Sequence, residues 1–280
     1  MKCAWQEYLN LLPHWMRQEV DRQGRFALQE LRLRVGQSPQ LQFQSRSICL
    51  EQRVEREDIL FVINTASKFS PWTAETIREG YITACGGHRV GICGQATIHQ
   101  GRMTGISAVS SVCIRVARDF GDIAPQMANA MGSTLIIGPP GCGKTTLLRD
   151  LVRKLSDSGQ GSVAVVDERQ EIFPISQGQI CFDRGKNTDI ISGCAKSEGI
   201  NAVLRSMNPQ WIAVDEITAQ ADTESLLCAG WCGVTLLATA HAGSVADLKS
   251  RPVYRPLIEN KLFQNVLVLH RDKSWTLERM

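Results

Sequence analysis

The sequence predicts an α/β protein: a core over residues 109–280 with a mostly parallel sheet, preceded by a smaller α+β N-terminal domain over 1–108. Three observations carry that expectation. From Val112 onward short apolar runs alternate with helical patterns, the rhythm of a parallel sheet covered on both faces. Upstream, short alternating strands and glycine turns are interleaved with helices and show no such rhythm. Between an apolar run, Thr134-Leu135-Ile136-Ile137, and a helix start lies Gly138-Pro139-Pro140-Gly141-Cys142-Gly143-Lys144-Thr145-Thr146, which fits Gly-x4-Gly-Lys-Ser/Thr.

The elements follow in order. Residues 4–20 space Trp5, Tyr8, Leu9, Leu12, Trp15 and Met16 for one helical face, interrupted at Pro13. Leu31, Leu33 and Val35 alternate with Arg32 and Arg34 as a half-exposed strand, and further strands are expected at 41–43 and 47–50. Helices are expected over 55–69 and 73–79, and short glycine-separated strands over 81–85, 88–93 and 95–99. The small residues of 105–111 mark the domain boundary. Beyond it come a strand at 112–116, a helix at 122–131, the phosphate-loop strand at 135–137 and its helix at 146–156. Strands at 162–166, 211–214, 234–239 and 266–270, with helices at 199–207 and 222–232, complete the core.

A strand that delivers a glycine-rich loop to a helix N-terminus presents backbone N–H groups to an anion. Gly138, Pro139, Pro140, Gly141, Cys142, Gly143, Lys144, Thr145 and Thr146 are therefore the expected phosphate-binding residues, and ATP the expected ligand. Lys144 supplies the cation at the β- and γ-phosphates and Thr145 a hydroxyl for Mg²⁺. The run Trp211-Ile212-Ala213-Val214 ends in Asp215-Glu216: Asp215 is the expected metal carboxylate and Glu216 the residue that polarises the attacking water. Asp167, Glu168 and Glu171 follow another strand, and either Glu168 joins the catalytic water or the group is a solvated strand end. His241 ends a further strand, placed to sense the γ-phosphate. Arg89, Arg115, Arg118 and Arg184 are the candidates for an arginine aimed at the transferred phosphoryl group.

Composition narrows the partners. A hydrophobic content of 43% with 21% charged residues supports a packed core. Residues 1–105 carry 13 Lys/Arg against 10 Asp/Glu and the rest balances at 18 against 18, which is no nucleic-acid footprint. No apolar run reaches the ~18 residues of a membrane span and the N-terminus lacks a signal-peptide pattern. Membrane association is thus expected only through a partner. The ten cysteines are scattered without a Cys-x2-Cys pair, which fits a reducing cytoplasm. Cys85, His88 and Cys93 lack a fourth zinc ligand at sensible spacing. Cys142, inside the phosphate loop, predicts a thiol-sensitive site.

Four signals in this order, the phosphate loop, the acidic group at 167–171, the Asp215-Glu216 strand end and the box ending at His241, resemble the secretion ATPase superfamily of type II and type IV secretion and pilus motors. That resemblance implies a RecA-like P-loop NTPase core. Asp167-Glu168-Arg169 stands where those motors carry Glu-Asp-Pro, and Thr218 where they carry an arginine. A closer match runs through Leu31-Arg32-Leu33-Arg34, Gly80-Tyr81-Ile82-Thr83, Gly86-Gly87-His88-Arg89-Val90-Gly91, Ile114-Arg115-Val116-Ala117-Arg118, Val166-Asp167-Glu168-Arg169 and Leu204-Arg205-Ser206-Met207-Asn208-Pro209. These stretches are similar to the stage III sporulation protein AA family, which implies a cytoplasmic, hexameric Mg-ATPase docked on membrane channel proteins between mother cell and forespore. Two other readings use the same core: a nucleic-acid-binding ATPase with Arg32, Arg34, Arg46, Arg53 and Arg56 along a groove, and an assembly scaffold that binds ATP with little turnover.

Overall fold

The computed structural model describes residues 1–68, 80–124 and 132–279. They form two units, one of Met1–Asp119 with Pro174–Phe182, the other of Phe120–Phe173 with Asp183–Met280.

The first unit holds a six-stranded antiparallel sheet in the order β3-β2-β1-β6-β5-β4. Its strands are β1 (Glu30–Arg34), β2 (Gln40–Gln42), β3 (Ser47–Cys49), β4 (Tyr81–Thr83), β5 (Arg89–His99) and β6 (Arg102–Arg115). Leu31 and Leu33 point into the core while Arg32 and Arg34 stay exposed, as a period of two requires. Helices α1 (Trp5–Asn10), α2 (His14–Gly24) and α3 (Arg56–Ser67) share one apolar cluster with the sheet, Leu12, Met16, Ile59 and Val62 meeting Leu31, Val90 and Ile114. Pro13 caps α2 with φ −51°, so the expected 4–20 segment is two helices.

The expected boundary at 108/109 falls inside β6, and the unit runs on to Asp119. The small residues read there as a boundary belong to a long β5–β6 ribbon, whose outer half is mostly exposed, with Ile106 and Val109 packing against the core, too few to write an apolar period. Its strands are continuous through a bulge at Gly94, where a side chain would meet the Ser107 carbonyl at 2.6 Å. A short hairpin, β9 (Ile175–Ser176) with β10 (Gln179–Ile180), also belongs to this unit and was not signalled by sequence pattern.

The second unit is a seven-stranded sheet in the order β11-β8-β12-β13-β7-β14-β15, parallel except for β15. Its strands are β7 (Thr134–Ile137), β8 (Val163–Asp167), β11 (Thr188–Ser192), β12 (Trp211–Val214), β13 (Thr235–Ala240), β14 (Asn265–Leu269) and β15 (Trp275–Arg279). Helices α4 (Lys144–Asp157), α5 (Lys196–Ser206) and α6 (Gln220–Trp231) alternate with them, followed by α7 (Val245–Ser250) and α8 (Arg255–Glu259). β7, β8 and β12 are buried at every residue, which is why they read as apolar runs. β15 is exposed at every residue and offered no such signal. The helix expected at 73–79 lies outside the described residues, as does 125–131 of the one expected at 122–131, whose first residues 122–124 are not helical.

Candidate functional site

The sheet order sets the site. β13 lies between the phosphate-loop strand β7 and β12, with Ala240 beside Ile137 and Ala238 beside Val214. Residues at the carboxyl end of β13 are therefore flanked by the phosphate loop on one side and Asp215-Glu216 on the other, at the sheet edge where open α/β folds place ligands.

The loop's conformation is written by its glycines. Gly141 and Gly143 have φ of +73° and +105° with open space where a Cβ would project, and Gly138 has its would-be Cβ 2.7 Å from the Leu269 carbonyl. Lys144 begins α4, is buried, and its Nζ donates to the carbonyls of Gly138 (2.9 Å) and Pro139 (3.1 Å) and to His241 Nδ1 (3.1 Å). With Nδ1 accepting, the neutral ring carries its proton on Nε2 and donates to Glu216 Oε1. Lys144, His241 and Glu216 thus form one chain of hydrogen bonds.

Thr145 Oγ1 donates to Asp215 Oδ2 at 2.8 Å, and Thr239 Oγ1 donates to the other oxygen, Asp215 Oδ1. The same Thr239 oxygen accepts from the Glu216 amide at 2.7 Å, which helps hold Glu216 at φ +49°, a left-handed conformation costing about 1 kcal/mol in a non-glycine residue. Burial pushes the Asp215 carboxyl up from the usual range; the Thr239 and Thr145 hydroxyls oppose that, and the charges of Glu171 and Glu216 add to it. A divalent cation beside Asp215 would favour its ionised form, and a hydroxyl with a carboxylate is the oxygen donor set Mg²⁺ takes. No group of three or more His, Cys, Asp or Glu among the described residues is placed to hold a metal by itself.

The acidic group divides. Asp167 is buried and accepts the amides of Glu171 (2.8 Å), Ile172 (3.0 Å) and Phe173 (2.8 Å), so it folds its own loop. Arg149 on α4 donates to the carbonyls of Ile172 and Glu171 and ties that loop to the phosphate-loop helix. Glu168 pairs with Lys196 and faces a shallow cleft that Glu171, Asp215 and Glu216 also line. The solvated-strand-end reading therefore does not hold for Asp167, which is 1% exposed.

Cys142 is 3% exposed, with its sulfur packed under the loop against Gly138. Burial of that sulfur slows the modification by which the expected thiol sensitivity of the site would be read. Thr146 is half-buried in the first turn of α4. Of the candidate arginines, Arg89 lies over the Tyr81 ring at 3.7 Å, Arg115 is 3.9 Å from Glu30, and Arg118 donates to the Leu28 carbonyl at 2.6 Å. All three belong to the first unit, and exposed Arg184 does not line the cleft. His88 donates from Nε2 to the Ala4 carbonyl (2.9 Å) and accepts the Ala117 amide at Nδ1 (3.1 Å), leaving neither nitrogen for a metal. Thr239, Lys196 and Arg149 were missed by sequence reasoning. Thr239 had a signal, being two residues before His241 on a strand and so on the same face.

The fold is matched in known proteins. The Legionella pneumophila ATPase DotB superposes with a TM-score of 0.58 at 16% identity, over 96% of this chain and 80% of that one. The pilus retraction motor PilT, solved with bound ADP, superposes at 0.65 with 15% identity, over 93% and 79%. At such identities the likeness is one of fold: a RecA-like P-loop ATPase core with a smaller N-terminal domain. Stage III sporulation protein AA of Bacillus subtilis (strain 168) is 35% identical over 282 residues, covering 96% of this chain and 92% of the relative. The profile of the family described as sporulation stage III, protein AA, matches residues 5–277, and the chain belongs to that family.

Proposed function

We propose that this chain is a Mg²⁺-dependent ATPase of the secretion-ATPase type that powers or assembles a sporulation-associated channel between mother cell and forespore. The observation that carries the reading is the convergence of Lys144, Thr145, Asp215, Glu216 and His241 at one sheet edge, linked by hydrogen bonds. On ATP binding, the Gly141–Thr145 amides cradle the phosphates, and Lys144 exchanges the loop carbonyls and His241 for β- and γ-phosphate oxygens. Thr145 and Asp215 would hold a Mg²⁺, which would supply positive charge to the transferred phosphoryl group. Glu216 accepts a proton from the water whose oxygen bonds to the γ-phosphorus as the bond to the β,γ-bridging oxygen breaks, leaving ADP and phosphate. His241, released from Lys144, reports the γ-phosphate to Glu216.

The reading takes the working form to be a homo-oligomer, a hexamer, with the site at a subunit interface; within this chain Arg169 lines the cleft. The reading places the protein in the cytoplasm, at the membrane through channel or secretion-apparatus proteins; no helix among the described residues is long and apolar enough to cross a membrane. Phosphate release measured across protein concentrations tests this. Turnover per chain is expected to rise steeply with concentration, and Lys144→Ala to remove nucleotide binding. Nucleotide binding with no phosphate release at any concentration would leave only the scaffold reading.

A further inference from the structure

Lys196 is an unusual place to spend a charge. Its side chain is 7% exposed and it occupies the first residue of α5, where the helix dipole disfavours a cation by about 0.3–1 kcal/mol. Burial of an ammonium is unfavourable unless carboxylates compensate it, and two do. The ammonium pairs with Glu168, in the loop after β8, and lies 3.9 Å from Asp222 Oδ2 at the start of α6. That same Asp222 oxygen accepts the amides of Thr218 (3.0 Å) and Ala219 (3.1 Å), the turn that directly follows Asp215-Glu216. Glu168–Lys196–Asp222 therefore fastens the acidic loop to the loop carrying the metal and water-activating carboxylates. Asp222 is itself 8% exposed and spent on backbone amides, whereas Glu168 is 36% exposed and opens on the cleft. Lys196 also lines the cleft, with its ammonium turned to these carboxylates.

We propose that Lys196 is the positioning residue for Glu168, holding its carboxylate at the cleft to orient the attacking water beside Glu216. This rests on the ATPase reading of the same cleft. Removing the ammonium while keeping side-chain length frees the carboxylate to turn to solvent, so the loss falls on the chemical step and leaves phosphate binding by the loop and Lys144 intact.

The test is a double-mutant cycle on the full-length protein, with kcat from steady-state phosphate release and nucleotide affinity from a fluorescent ATP analogue. Lys196→Met and Glu168→Gln are each expected to lower kcat about tenfold with affinity unchanged, and the double variant to lose no more than either alone. Losses that multiply in the double variant, or a Lys196→Met protein that turns over like wild type, overturn the proposal. Should Lys196→Met not fold, Glu168→Gln decides alone: wild-type turnover in that variant means there is no working carboxylate to position. A wild-type protein that binds nucleotide but releases no phosphate defeats the ATPase reading itself, and the Lys196 proposal with it, a result distinct from an active wild type indifferent to Lys196.

Discussion

In the first unit the buried polar side chains among the described residues are His88 and Asp119, whereas in the second Lys144, Arg149, Asp150, Asp167, Lys196 and Asp222 are all buried. The first unit buries His88 as a neutral ring. Desolvation, with the nearby Arg118 charge adding to it and the bond to Ala4 opposing it, drives the His88 pKa down to about 4, and the neutral ring spends both nitrogens on backbone. The second unit holds Asp150, Lys196 and Asp222 in ion pairs and Lys144, Arg149 and Asp167 with backbone groups. Under the proposed function the second sheet handles phosphate and a cation, and charged groups buried for that work must each be held in place by several partners.

The comparison breaks most readily at Asp150. Its carboxylate accepts the amides of Asp122 (3.1 Å), Ile123 (2.8 Å) and Ala124 (2.7 Å) and pairs with Arg153. Asp150→Ala strands all four partners and is expected to cost about 3–5 kcal/mol in urea unfolding. A loss below about 1 kcal/mol would place Asp150 with ordinary surface pairs.

His88 sharpens the other side. Its folded pKa, about 4, lies below the ordinary 6.5, so its contribution to stability is fully present above pH 6.5 and is lost as pH falls toward 4. The shift corresponds to about 3 kcal/mol. Unfolding free energies across that range should fall more steeply for the wild type than for His88→Gln, and parallel curves would contradict the buried neutral ring.

The smallest expected effect is on thiol reactivity. Cys49, Cys93, Cys228 and Cys232 are exposed and Cys142 is buried, so iodoacetamide should label Cys142 at least about tenfold more slowly than any of those four. Equal rates, read by peptide mass spectrometry, would show that the loop opens freely without nucleotide.

How far the sequence spoke of this site depends on how local each signal is. The phosphate loop, Asp215-Glu216 and His241 are legible because glycines of positive φ, a buried strand and a strand-end carboxylate each leave a pattern within a few residues. Lys196 and Arg149 are single cations on helices, and their meaning depends on β8 and β12 being neighbours, which no local pattern states. The same holds for Thr239, whose two bonds exist because β13 is inserted between β7 and β12. In the first unit, β1 was read correctly because only one face is buried, while the β5–β6 ribbon was taken for a boundary because its outer half packs too few residues on the core to write a period.

The central claim, that the charges buried in the second unit serve ATP hydrolysis, is tested most directly at Glu216. Phosphate release and nucleotide affinity should be measured together for wild type and Glu216→Gln at a concentration where the wild type is active. The expected result is unchanged affinity with kcat lowered about 10²–10³-fold, the loss of a group that acts only in the transition state. Hydrolysis by Glu216→Gln at the wild-type rate would contradict it.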